Sequence, residues 1–331
     1  MASAVMLGRA SAERRIGADA PPLIFLMGPT AVGKTALAVE LVERLPVEII
    51  SVDSAMVYRG MNIGTGKPLP EVLAKAAHRL IDICEPNQIY SAAQFARDAR
   101  REIEGIRGRG RIPLLVGGSG LYFRALWPGL CALPSANQRV RSRLTGEAAV
   151  AGWPALHARL TRIDATASAR IHPHDGQRIQ RALEVYEVTG CTLTQWVAEH
   201  RQPGWHGPIV KIILDPVDRT LLHAGIAERF RGMLTGGLVE EVMWLREQKQ
   251  VDRELPAMRA VGYRQVCDYL ADVIDYETMV SSGIAATRQL AKRQLTWLRC
   301  ESGARRFDAY DRQVVARVSK YVSEFVKKPS T

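Results

Sequence analysis

The chain has 331 residues, 47% hydrophobic and 24% charged, enough to fill a core and too balanced for a disordered, fibrous or repeat protein; a globular α/β class is the expectation. Its 45 Lys and Arg against 34 Asp and Glu leave a formal charge of +11, which attracts polyanions, nucleic acid first, although a solvated basic surface gives the same count. Five separated cysteines without a CxxC pair exclude a zinc or redox framework, and no apolar run nears the roughly 18 residues of a membrane span, so a reduced, soluble, cytoplasmic protein is expected.

The first twenty residues are rich in Ala, Ser and Arg, lack an apolar stretch, and read as a disordered extension rather than a secretory signal. The fold begins at Pro21 and Pro22. LIFLM (23–27) is a short continuous apolar run, the pattern of a strand buried on both faces. A helical pattern from Lys34 to Leu45 is closed by Pro46, and VEIISVD (47–53) gives a second buried strand, so the three form a parallel strand-helix-strand unit. Ser91 and Gln94 have capping-box spacing and open a helix predicted to run to Arg107, before the Gly108 and Gly110 breakers. IPLLV (112–116) and KIILD (211–215) are the third and fourth buried strands.

Between these two strands, residues 136–205 show no buried strand, read as helical, and carry Arg139, Arg141, Arg143, Arg159, Arg162, Arg170, Arg178 and Arg181. The pattern predicts a P-loop-type parallel sheet flanked by helices over 21–135 and 206–331, interrupted by an inserted helical domain. From Leu221 onward the periodicity is helical, and the last twenty residues read as one amphipathic helix from Asp311 with a polar tail.

Gly28-Pro29-Thr30-Ala31-Val32-Gly33-Lys34-Thr35 fits GxxxxGK[ST] and lies between a buried strand and a helix, where the motif's mechanism requires it. The glycines let backbone N–H groups converge on linked phosphates, the helix N-terminus adds positive potential, Lys34 neutralises charge, and Thr35 can coordinate magnesium. The motif does not separate transfer of a phosphoryl group from departure of a diphosphate held by the same donors. Asp53 ends the second strand, at the carboxyl edge where open α/β sheets bind ligands, yet taken alone it reads more readily as a turn or cap.

With the P-loop, VDSAMVYRGMNIGTGKP (52–68), HRLID (78–82), YSAAQF (90–95), IPLLVGGSGLYFRAL (112–126), RIHPHDGQRIQRALEV (170–185), RAVGYRQ (259–265) and TRQLAKRQLTWLR (287–299) resemble the tRNA dimethylallyltransferase family, over residues 22 to 300. The resemblance implies transfer of a dimethylallyl group from its diphosphate to the exocyclic amine of the adenosine on the 3′ side of the anticodon, with magnesium as cofactor. It makes the P-loop a cradle for the prenyl diphosphate, although the same loop would also suit ATP. It implies Asp53 as general base and Arg229, otherwise a plausible solvated helix residue, as a second cation on the leaving diphosphate. Ser119 stands where the family commonly has Thr, a mild departure that keeps the hydroxyl.

The target base must leave the anticodon loop, and the resemblance places RNA contacts over Asp53, Ser54, Ala55, Met56 and Ser119, over Arg141, Gln177, Arg178, Ile179, Gln180 and Arg181, over Arg259, Ala260, Val261, Gly262, Tyr263 and Arg264, and over Lys292, Arg293, Gln294, Leu295, Thr296, Trp297, Leu298 and Arg299. Gln177, Gln180 and Arg181 share one stripe of a helix whose opposite face, Ile179, Ala182, Leu183 and Tyr186, has core spacing; alone they read as surface polar residues. Arg288, Lys292 and Arg299 fall within about 40° of arc, interrupted by Leu295, as a phosphate-facing stripe would. Trp297 reads as core or a stacking platform. His172 and His174 lack a third ligand and read as a loop before a helix capped by Asp175. Two other readings remain at this stage: a P-loop kinase of a small metabolite, and a non-catalytic RNA-binding module. A monomer is expected.

Overall fold

The computed structural model describes residues 22–131, 133–200, 204–248 and 251–326. The expected N-terminal extension and the last residues of the polar tail lie outside the described residues.

Among the described residues there are six strands: β1 (Leu23–Met27), β2 (Val47–Val52), β3 (His78–Arg79), β4 (Ile112–Gly117), β5 (Ile209–Asp215) and β6 (Arg305–Asp308). They form one parallel sheet in the order β3-β2-β4-β1-β5-β6. All five residues of β1 are buried, and Phe25 pairs with Leu115 of β4 on one side and Lys211 of β5 on the other. Each such buried apolar side chain contributes roughly 1.5–3 kcal/mol, so the run of uninterrupted hydrophobes puts this strand at the sheet's centre. The four apolar runs predicted as strands are the four central ones. β3 and β6 were not legible, because they are edge strands of two and four residues, His78-Arg79 and Arg305-Arg306-Phe307-Asp308, with no buried apolar run.

Helices follow the strands: α1 (Lys34–Arg44), α2 (Pro70–Lys75), α3 (Ala92–Gly108) and α4 (Gly120–Arg124) in the first part of the chain. The predicted capping box of α3 is formed, with Gln94 N–H donating to Ser91 Oγ at 3.2 Å and Ser91 N–H to Gln94 Oε1 at 2.7 Å.

Residues 124–205 form a separate compact unit containing α5 (Gln138–Ala151), α6 (Trp153–Ile163), α7 (Ala165–Ser168), α8 (Gly176–Thr189) and α9 (Leu193–Glu199). It begins twelve residues before the expected boundary at 136, because the chain entering it pairs with the chain leaving it: Trp205 N–H donates to Leu126 C=O at 3.0 Å. Leu144, Leu156, Leu160, Ile179 and Leu183 make its core. After it come α10 (Arg219–Thr235), α11 (Leu238–Gln248), α12 (Tyr263–Leu270), α13 (Tyr276–Arg299) and α14 (Val314–Val326), all in the unit that holds the sheet. α14 starts three residues after Asp311, whose carboxylate accepts from Gln313 N–H at 2.8 Å before the helix proper.

Candidate active site

Strand order decides which loops meet. Because β2, β4 and β1 are neighbours, the segments after their carboxyl ends, 53–56, 117–120 and 28–35, lie side by side at one edge of the sheet. The P-loop turns through Ala31 (φ 66°) and Gly33 (φ 78°) into α1, whose first-turn N–H groups have no partner within the helix. Lys34 Nζ donates to Pro29 C=O at 2.5 Å. Burial lowers its pKa to about 8, the Asp53 carboxylate opposing and Arg229 adding to the shift.

Asp53 takes the turn role that its position alone suggested: Oδ1 accepts from Ala55 N–H at 2.8 Å and Met56 N–H at 3.3 Å. Asp53 lines the cleft as well, so the two roles fall on one carboxylate. Ser119 Oγ accepts from Ser54 N–H at 3.2 Å, which ties the β4 loop to the β2 loop. Arg229, on α10, forms no hydrogen bond or ion pair among the described residues. Burial pushes its guanidinium below the ordinary value, and the nearby Asp53 charge partly offsets this. The guanidinium lies over Gly66, where a Cβ would collide with Nη2 and where φ is 64°; only glycine satisfies both conditions.

The cleft has two chambers. One is lined by the P-loop, including Thr35, with Lys67 and Leu69 beyond it. The other is lined by Ser54, Ala55, Ser119, Arg259, Ala260, Val261 and Arg293. Asp53, Arg229, Thr30, Thr65, Met233 and Gln294 line both. Gln294, on α13, accepts from Thr30 N–H at 2.8 Å and donates to Gly118 C=O at 3.2 Å, so it clamps the P-loop to the β4 loop. Its amide occupies Thr30 N–H and leaves the later loop amides to face a ligand.

Other expected contact residues fall differently. The side chains of Tyr263, Leu295 and Leu298 are in the core and cannot reach a nucleic acid, whereas Arg264, Lys292, Arg293, Thr296 and Arg299 are exposed. Leu295 thus splits the basic stripe that also includes exposed Arg288. Gly262 (φ 94°) is a turn before α12, and Met56 and Trp297 are partly buried, with Trp297 6.0 Å from Phe123 between ring centroids, a core packing.

In the inserted unit Ile179 is fully buried, while Gln177 and Arg178 are exposed and Arg178 pairs with Asp175 at 3.3 Å. Arg141 and Arg181 are not free cations. Both bind the wholly buried Glu184, at 2.8 and 2.5 Å, and Asn137 N–H donates to the same carboxylate at 2.7 Å. Burial would raise the Glu184 pKa, but these hydrogen bonds outweigh it and hold the carboxyl below its usual value. Gln180 Nε2 donates to Arg141 C=O and Thr145 Oγ1, at 3.0 and 2.8 Å. The stripe read as RNA-facing is in good part the unit's internal wiring, since a buried carboxylate must be paired. Arg143 and Arg159 likewise pair with Glu187, and Arg139, Arg162 and Arg170 are exposed. Asp175 caps α8 as expected, accepting from Arg178 N–H at 3.2 Å.

Sequence reasoning gave no role to the Lys of TGKP or the Asp of HRLID. Lys67 Nζ donates to Tyr58 C=O, Asn62 Oδ1 and Asp82 Oδ1, at 2.9, 2.9 and 2.7 Å, so all three of its protons are engaged and it is a loop clamp. The quoted blocks contained both residues, and only the fold brings them together.

A parallel sheet with a phosphate loop after its central strand, and a cleft in which a strand-end carboxylate and an unpaired guanidinium line both chambers, defines an α/β enzyme of the P-loop type. A family model described as IPP transferase matches residues 56–301. The tRNA dimethylallyltransferase of Halorhodospira halophila is 54% identical over 302 residues, covering 91% of this chain and 97% of its own, and that of Alkalilimnicola ehrlichii is 58% identical over 284 residues, covering 86% and 89%. The tRNA isopentenylpyrophosphate transferase structure from Bacillus halodurans has a TM-score of 0.66 at 34% identity, covering 93% of this chain and 97% of its own. A eukaryotic dimethylallyltransferase crystallised acting on tRNA shares the fold, with a TM-score of 0.73 at 22% identity, covering 93% of this chain and 81% of its own. The chain belongs to the tRNA dimethylallyltransferase family, and this sets aside the kinase and the non-catalytic module. Among the described residues no helix is long and apolar enough to cross a membrane.

Proposed function

We propose that this enzyme transfers the dimethylallyl group of dimethylallyl diphosphate to the exocyclic amine of the adenosine on the 3′ side of the anticodon in tRNA, with donor and acceptor entering from the two chambers. The observation that carries the reading is the shared wall: Asp53 and Arg229 line both chambers, where the bond to carbon is exchanged. The P-loop amides and Lys34 hold the diphosphate, and Arg229 meets it from α10. As the carbon–oxygen bond breaks, negative charge grows on the leaving diphosphate, and both cations stabilise it more in the transition state than in the ground state. The adenine amine attacks the same carbon and passes its proton to the Asp53 carboxylate, leaving a secondary amine and free diphosphate. Ser119, together with Ser54 and Ala55, borders the acceptor base, while Met56 lines the donor chamber. Arg259, Arg264, Lys292, Arg293, Arg299, Gln177 and Arg178 supply exposed contacts to the RNA.

Magnesium fits this donor set. Among the described residues no cluster of three His, Cys, Asp or Glu could hold a metal without help, but Thr35, whose hydroxyl can ligate magnesium, lines the donor chamber. This is the sparse oxygen set expected of an ion bound chiefly through substrate phosphates. When bound it would neutralise the diphosphate.

The test is incubation with magnesium, dimethylallyl diphosphate and unmodified tRNA, followed by digestion and mass spectrometry. A dimethylallyl adduct on the adenosine beside the anticodon is the expected product; no adduct, or one elsewhere, overturns the proposal.

A pH dependence follows from Lys34. Its pKa of about 8 makes it cationic below that value and increasingly neutral above it in the free enzyme. Affinity for a diphosphate therefore falls as pH rises through about 8. The KM for the donor, measured from pH 6.5 to 9.5, is expected to rise across that range by about tenfold, the loss expected for one charge-assisted contact, and Lys34→Arg should flatten the profile.

A further inference from the structure

We infer that Glu241, on α11, is a positioning residue for the donor chamber, a role that rests on the proposed P-loop diphosphate site. Its carboxylate accepts three successive backbone N–H groups, from Asn62 at 2.9 Å, Ile63 at 2.7 Å and Gly64 at 3.2 Å, and a fourth hydrogen bond from the Tyr263 hydroxyl at 2.6 Å. Three amides converging on one anion form a nest, which a neutral side chain cannot satisfy because an amide has only one acceptor oxygen.

The loop so gripped is the one that carries Thr65 and Gly66 into the donor chamber and puts Gly66 under the Arg229 guanidinium. Lys67 fixes the far end of the same loop through Asp82. Tyr263 packs its ring against Gly64, where a Cβ would meet Cε2 at 2.5 Å, so the hydroxyl that completes the nest also braces the loop's backbone. Burial, with Glu241 beside it, raises the pKa of that hydroxyl and keeps it a donor. Glu241 touches neither chamber; it acts by holding Gly64–Gly66 so that Arg229 rests in one place.

The test uses the full-length chain and two probes, dimethylallyl diphosphate in steady-state kinetics and inorganic pyrophosphate in calorimetry. Glu241→Gln is expected to raise the donor KM and the pyrophosphate Kd about tenfold, the loss expected when hydrogen bonds to a charged group are broken, while the Kd for tRNA alone stays within about twofold. Glu241→Asp keeps the charge but withdraws it by one methylene and should fall between. Glu240→Gln, the exposed neighbour on the same helix, should match the wild type in all three. A lowered Tm with unchanged KM and pyrophosphate Kd in both Glu241 variants means a structural residue only and overturns the inference. Lys34→Ala separates the two levels: if wild-type pyrophosphate binding is absent, or unaffected by that change, the donor-site reading fails and this inference falls with it. If Lys34→Ala weakens binding and the Glu241 variants do not, only the positioning role fails.

Discussion

Asp53→Asn is expected to lower single-turnover transfer by about 10²–10⁴-fold, the range of general-base contributions, with tRNA affinity within about twofold of wild type. Asparagine is the informative change because this carboxylate has two duties. Oδ1 holds the N–H groups of Ala55 and Met56, and an asparagine carbonyl can keep both bonds. What it loses is the ability to take a proton. Asp53→Ala would also release the turn that carries Ser54 and Ala55 into the acceptor chamber, mixing a positional defect with the chemical one. The two variants together separate the roles: a further loss in Ala over Asn, appearing in the KM for tRNA, measures the turn. Transfer within about threefold of wild type in the Asn variant would remove Asp53 as the base.

Arg229→Ala should cost about 10²–10³-fold in kcat/KM for the donor, comparable to removing one preorganised donor from a developing anion. The magnitude follows from the residue's condition in the fold. Its guanidinium has no partner among the described residues, so no internal ion pair competes for it, and its partial burial keeps it poorly solvated. Lys67, which also lines the donor chamber, cannot substitute because its three protons are engaged. Arg229→Lys should recover part of the loss, since a point charge replaces the forked donor. Donor affinity and transfer rate both unchanged in the Ala variant would exclude the guanidinium from the diphosphate site.

Much of this was legible in the chain itself. A sheet needs central strands that shed water on both faces, and LIFLM, VEIISV, IPLLV and KIILD announce themselves as such. The P-loop is a local motif whose residues bind through their own backbone, so spacing identifies it. The Ser91–Gln94 capping box and the Asp175 cap are equally local, because donor and acceptor are three residues apart. The edge strands His78–Arg79 and Arg305–Asp308 were not legible, since what makes them strands is the neighbour already in place.

At the site, local pattern and outcome part at the charged residues. Arg141 and Arg181 look from sequence like any RNA-facing arginine, and only the fold shows them turned onto Glu184, 43 and 3 residues away. Lys67 and Arg229 are both cations near a phosphate loop. One is saturated by Tyr58, Asn62 and Asp82 and the other is left unpaired, a difference set by partners 9, 5 and 15 residues from Lys67. Sequence alone determined the sheet's central strands, the phosphate loop and the family, because hydrophobic burial and backbone anion binding are written in contiguous residues. Tertiary structure alone decided which charges are free to act. A charge's chemistry depends on what lies within a few ångströms of it, and which of the many candidate neighbours ends up there is fixed only when the chain folds.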